Sequence, residues 1–194
     1  MTNRIRVVLI HGAYGSPQEN WFPWLVVKLR EQGLDTYVPA FPTPEGQNLA
    51  AWKEIFDDDV GHVDDSSILV GHSLGAAFIL NVLQEANQPV FGTFLVAGFV
   101  GLLGLPDFDP LNESFVDREF DWSRITRNAG HTVVYHSDDD PYVPLSRGVE
   151  LAKRLSVPHE VINRAGHINA ASGYLTFPKL LADILRLVNR APIT

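Results

Sequence analysis

Apolar residues along the chain fall into short runs that alternate with longer stretches of helical period. Six β-rich runs are predicted, at roughly 4–10, 35–39, 67–71, 90–97, 131–136 and 158–163. Several, such as Ile68-Leu69-Val70 and Val133-Val134-Tyr135, are apolar without polar alternation. Strands covered on both faces require that pattern, so the runs predict a parallel sheet between two helical layers, an α/β fold. Between the runs, Leu74, Phe78, Val82 and Ala86 recur every fourth residue, while Phe177, Leu180, Leu181, Ile184, Leu185 and Val188 form a stripe on a final helix. Both stripes are core faces. The least regular segment is 98–121, read as either a connecting loop with a short helix or a small lid over a site.

No Pro/Gly/Ser linker, repeat or low-complexity tract divides the 194 residues, which read as a single domain over 1–194. With 45% hydrophobic and 20% charged residues, the chain is predicted to bury roughly 70% of its unfolded surface. Cysteine is absent, which removes disulfides, thiolate zinc sites and thiol nucleophiles. A formal charge of −8 repels phosphate backbones and argues against nucleic acid as a partner. The apolar stretch Phe91 to Leu105 is broken by four glycines and is shorter than the ~20 residues of a membrane span. No cleavage signal follows Arg4 and Arg6, so a cytoplasmic location without membrane contact is expected. Nothing in the pattern bears on oligomeric state.

Candidate chemistry centres on Gly71-His72-Ser73-Leu74-Gly75, which leaves the third strand and opens the Phe78 helix. This is G-x-S-x-G in its strand-turn-helix context. Such a turn strains the serine backbone, lifts its hydroxyl to the sheet edge and places the positive end of a helix below any developing oxyanion. A serine hydroxyl becomes a nucleophile only when a histidine takes its proton and a carboxylate fixes that histidine. Asp138-Asp139-Asp140 after the fifth strand supplies three candidate acids, any of which could instead cap a helix or lie in a solvated turn. His167 alone of the seven histidines occupies the loop after the last strand. The backbone amides of Leu74 and of Ala13 or Tyr14, in the turn His11-Gly12-Ala13-Tyr14-Gly15, are the candidate oxyanion donors.

G-x-x-G without G-x-G-x-x-G or G-K-[ST] excludes a nucleotide loop, and no H-E-x-x-H or spaced acidic loop suggests a metal; no cofactor is expected. Asp57-Asp58-Asp59 reads as the solvated end of a helix. Tyr14, Leu74, Phe99, Leu102 and Leu103 are the candidate lining of a substrate pocket.

The order Ser73, acid, His167 resembles that of the α/β-hydrolase superfamily, and other segments resemble its small lidless serine hydrolases of the YdeN and retinoblastoma-binding-protein-9 family. These are Trp21-Phe22-Pro23-Trp24-Leu25, Phe41-Pro42-Thr43-Pro44, Phe120-Asp121-Trp122 and the acid loop Ser137 to Pro144. The resemblance implies a minimal six-stranded parallel sheet of order 2-1-3-4-5-6 with helices on both faces and no large cap domain. It also points to Asp140 as the acid, through a D-x-x-V-P signature. The run Gly101-Leu102-Leu103-Gly104-Leu105-Pro106 departs from the family pattern. The expected activity is acyl transfer to water on small or medium uncharged acyl esters, as a carboxylesterase. The alternatives are an aminopeptidase-like amidase or a partner-binding protein on a hydrolase scaffold. A cysteine-dependent L-x-C-x-E docking motif is impossible here.

Overall fold

The computed structural model describes residues 4–190; residues 1–3 and 191–194 of the chain lie outside it. Six strands form one parallel sheet: β1 (Arg6–Ile10), β2 (Asp35–Tyr37), β3 (Ser67–His72), β4 (Gly92–Val96), β5 (His131–Ser137) and β6 (His159–Ile162). Their order is β2-β1-β3-β4-β5-β6. The chain starts near the middle, steps outward once to β2, then crosses back and fills the other half strand by strand. The reversal between β1 and β3 is the switch point at which open α/β sheets hold ligands beyond their strand ends.

The unbroken apolar runs have a direct cause in packing. Alternate residues of each strand face opposite layers. Val8, Ile10, Leu69, Leu95 and Val134 enter one core, whereas Val7, Leu9, Ile68, Val70 and Phe94 enter the other. The first core takes helices α2 (Leu49–Asp59), α3 (Leu74–Glu85), α4 (Asp109–Val116), α5 (Trp122–Asn128) and α6 (Leu145–Leu155). The second takes α1 (Phe22–Glu31) and α7 (Pro178–Arg190). Among the described residues no helix is long and apolar enough to cross a membrane.

Helix α3 is buried from Leu74 through Leu83 on every side, because α2, α4 and α5 close around the helix that follows the serine. Aromatic rings do most of that closing: Phe41 stacks on Trp52 at 4.6 Å between centroids, and Trp52 meets Phe115 at 4.9 Å. Each such ring removes about 150–250 Å² from water, roughly 4–6 kcal/mol at about 25 cal/mol per Å². The buried Asn81 is satisfied by donating its amide to the carbonyls of Ala77 and Phe115, which ties α4 to α3.

Helix ends follow local chemistry. Asn48 caps α2 by accepting from the Ala51 amide, and Asp121 caps α5 by accepting from Arg124. Asp57, Asp58 and Asp59 are exposed at the end of α2, as expected for a solvated terminus. The stripe on α7 is narrower than its sequence suggests: Leu180 and Ile184 are buried, while Leu181, Leu185 and Val188 are half-buried at the margin. Segment 98–121 contains α4 flanked by two irregular stretches.

Candidate active site

β3 runs straight into the turn that carries Ser73, and α3 starts one residue later. Ser73 holds φ 56° and ψ −122°, a conformation that costs a non-glycine residue of order 1–3 kcal/mol and persists only where its surroundings impose it. The surroundings are unusually close. A Cβ at Gly75 would overlap the carbonyl oxygen of Ile10, and one at Gly71 would lie 2.7 Å from the amide nitrogen of Ala76. Both glycines are therefore required by contact between neighbouring backbones, and Ser73 is pinned between them.

His167 reaches the same cleft from the loop after β6. Its Nδ1 lies 2.7 Å from Asp140 Oδ2. The other oxygen of Asp140 accepts the amides of Tyr142 (2.9 Å) and Val143 (3.0 Å). Burial works to raise the Asp140 pKa, but the hydrogen bond and charge of His167 and these two amides outweigh it, holding the carboxyl below its ordinary value. The Ser73 hydroxyl and the imidazole line one cleft without a direct hydrogen bond, a looseness common before substrate tightens a constellation.

The loop around His167 is held from several directions. Asp138 accepts the Arg164 amide at 2.7 Å, Asp139 accepts that of Gly166 at 2.7 Å, and the Ser137 hydroxyl accepts that of Ala165 at 2.9 Å. Asp138 and Asp139 thus neither cap a helix nor merely face water: they moor the histidine loop to the end of β5. Trp21 donates its indole N–H to the Ile168 carbonyl at 3.0 Å. Ile168 is held at φ 49°, a strained setting for a β-branched residue. His72, beside the serine, donates from Nε2 to the carbonyl of His167 at 2.9 Å. Burial first, and then the nearby His167, push the His72 pKa down to about 3, so it is neutral at physiological pH.

The turn after β1 faces the elbow, where a Cβ at Gly12 would lie 2.8 Å from that of Ser73. The Gly12 carbonyl accepts from His11 Nδ1 (2.8 Å) and from the Gly15 amide (3.1 Å). Carbonyl and amide of one peptide plane point in opposite directions, which leaves the Ala13 N–H directed away from those partners. The Leu74 N–H heads α3 and has no acceptor within the helix. By contrast, the Tyr14 N–H donates to Thr43 Oγ1 at 2.6 Å, so of the two candidates in this turn Ala13 keeps a free amide. His11 is buried, which lowers its pKa, and its Nε2 accepts the Phe41 amide at 3.1 Å.

The cleft has a volume of about 300 Å³, at the small end of ligand sites. Of the residues expected to line a substrate pocket, Tyr14, Phe99 and Leu103 border this cleft. Two other expected lining residues do not. Leu74 is fully buried in the core beneath the elbow, because the first residue of an enclosed helix has no open side. Leu102 is 39% exposed and turned to solvent. Leu105, Phe108, Tyr142 and Val143 add to the apolar lining instead, and Glu19 and Asn20 are among its polar residues. Among the described residues, no group of three or more His, Asp or Glu side chains is arranged to hold a metal ion.

A protein-family model described as serine hydrolase matches residues 7–186. The chain belongs to the serine hydrolase family. This serine hydrolase is 30% identical over 182 residues to YdeN of Bacillus subtilis (strain 168), covering 93% of this chain and 94% of YdeN. It is 25% identical over 170 residues to the serine hydrolase RBBP9 of Rattus norvegicus, covering 86% and 89% of the two chains. The crystal structure of the B. subtilis ydeN gene product superimposes with a TM-score of 0.89 at 28% identity, covering 96% of this chain and all of that one.

Proposed function

We propose that this serine hydrolase is a carboxylesterase acting through an acyl-enzyme on small or medium uncharged acyl esters. Ser73 is the nucleophile, His167 the general base and then acid, and Asp140 the carboxylate that holds the imidazole in the right tautomer. His167 Nε2 takes the hydroxyl proton as Ser73 Oγ bonds to the ester carbonyl carbon. The carbonyl oxygen becomes an oxyanion and accepts from the amides of Leu74 and Ala13, where a single donor is worth about 10²–10³ in rate. Collapse breaks the bond to the alkoxide, which leaves with the proton from His167. Water then attacks the acyl-enzyme under the same base, releasing the acid and restoring Ser73. Protonation and charge are handled by side chains and amides, so the mechanism calls on no metal or cofactor, and the chain works as one hydrolase domain.

The observation that carries this reading is the strained serine in one cleft with an imidazole whose far nitrogen is 2.7 Å from Asp140. The apolar lining from Phe99, Leu103, Leu105 and Phe108 favours an uncharged acyl group, and alcohols leave more readily than amines. A second reading, hydrolysis of amides or esters that bear a protonated amine, draws support from Glu19: it is the only acidic residue of the lining, and no Lys or Arg accompanies it. A fluorophosphonate probe tests the common core. Wild type should label covalently and Ser73→Ala should not; a folded wild type that stays unlabelled overturns the proposal. A panel of uncharged and aminoacyl esters then separates the two readings.

A further inference from the structure

The run that departs from the family pattern borders the cleft. Leu103 and Leu105 line it, yet residues 100–105 belong to neither a helix nor a strand, and Gly101 and Gly104 turn the chain at φ 70° and 77°. Such a stretch has no ladder of its own to keep it in place. Two charged side chains supply what the backbone does not. The Asp109 carboxylate, on the first residue of α4, accepts three successive amides: Leu103 at 2.9 Å, Gly104 at 2.7 Å and Leu105 at 3.1 Å. From the other side, the Arg147 guanidinium on α6 donates to the carbonyls of Leu102 at 2.6 Å and Val100 at 3.3 Å. Arg147 is itself steadied by Glu150 at 3.7 Å. The acceptors and donors are matched in sign, anion to N–H and cation to C=O, and hydrogen bonds to charged groups are the strong ones.

We propose that Asp109 and Arg147 are positioning residues that set the upper size limit of the acyl group by clamping residues 100–105 as a fixed wall of the cleft. Neither side chain lines the cleft, so each acts only through the wall. This inference rests on the esterase reading of the site. A wall bonded at five backbone groups from two helices cannot retreat to admit a longer chain, and the site accepts what fits its resting shape. A stretch of the same sequence without the clamp would yield, and discrimination by acyl length would fade with it.

The test is the chain-length profile of kcat/KM on p-nitrophenyl acetate, butyrate, octanoate and laurate, for wild type, Asp109→Ala and Arg147→Met. Wild type should fall at least tenfold from butyrate to laurate. Each variant should keep its acetate kcat within about threefold while raising octanoate and laurate kcat/KM about fivefold or more, chiefly through KM. Amide hydrogen exchange at residues 103–105 should quicken at least tenfold in Asp109→Ala. Arg147→Met carries the test should Asp109→Ala not fold. A folded variant with the wild-type ratio of laurate to acetate overturns the proposal, even where its overall activity has dropped. A wild type that neither labels with fluorophosphonate nor cleaves any ester defeats the esterase reading and this one together. A wild type that labels normally and shows no length limit defeats this one alone.

Discussion

The elbow around Ser73 and the segment 98–116 border one cleft, yet they are kept in place by different means. At the elbow, backbone touches backbone: Gly71, Gly75 and Gly12 leave room for neighbouring chain and for nothing larger. Along 98–108, the chain is irregular, and side chains reach in from α4 and α6 to hold it. The first arrangement fixes the Ser73 backbone and leaves almost no room for substitution there. The second can be edited one side chain at a time without disturbing the sheet. On the proposed mechanism, the chemistry belongs to the closely packed part, and the choice of substrate to the part whose fixings are replaceable.

The largest effect expected from breaking this division falls on the elbow side. With Asp140 as the acid, Asp140→Asn should lower turnover about 10⁴-fold, because the amide favours the wrong imidazole tautomer, with folding preserved by circular dichroism. A loss below tenfold would remove Asp140 from the mechanism. Gly75→Ala should destabilise the whole fold by about 3–5 kcal/mol in urea unfolding, since the added methyl meets the Ile10 carbonyl; a loss under 1 kcal/mol would mean that the contact relaxes freely.

Acid sharpens the contrast next. His11, His72 and His136 are buried on or beside the catalytic loops, with burial lowering each pKa, whereas residues 98–116 contain no histidine. A lowered folded pKa means that the unfolded chain binds more protons below its own pKa. Stability is therefore full above about 6.5 and is lost as pH falls. His72 alone should remove about 1.4 kcal/mol per pH unit from 6.5 downward, toward its folded value of about 3. At pH 5 the thermal midpoint should sit several degrees below that at pH 7.5, and a flat midpoint would contradict the neutral buried state of His72.

On the replaceable side, Phe108→Ala should raise KM for butyrate esters about tenfold while leaving kcat within about twofold, because that ring closes the cleft against Tyr14 and Tyr142. An equal fall in kcat would tie Phe108 to the reacting atoms instead. The smallest change belongs to Asp139→Asn. The amide oxygen of asparagine can still accept from Gly166, so turnover should stay within about threefold; a loss matching that of Asp140→Asn would reassign the acid.

Legibility followed the same division. All six strands lie within two residues of the runs read from the sequence; for the four inner strands the reason is double-sided burial, which leaves unbroken apolar stretches that little else produces, whereas the edge strands β2 and β6 are only partly buried. The glycine spacing of the elbow was equally plain, being dictated by contacts among near neighbours in the chain. Leu102 and Leu74, expected at the lining, lie outside it, and Leu105 and Phe108 lie in it without a sequence signal, for a common reason. In a helix or strand the period says which way a side chain points, whereas in an irregular loop apolarity carries no direction. The bonds from Tyr14 to Thr43, Trp21 to Ile168 and His72 to His167 span up to 147 residues and leave no local trace. The nearest hint was Trp21 itself, an aromatic at the start of α1 whose indole N–H needed a buried acceptor.

The hydrogen bond from His72 to the His167 carbonyl joins segments 95 residues apart, and that separation bears on the order in which the protein is made. At roughly 5–20 residues per second, a ribosome presents the elbow many seconds before the loop that carries His167. With His167 as the base, a chain released before that loop carries Ser73 without its proposed proton acceptor. On the proposed mechanism, reactivity toward a serine-directed probe therefore reports that the loop after β6 has been synthesised and docked against the elbow.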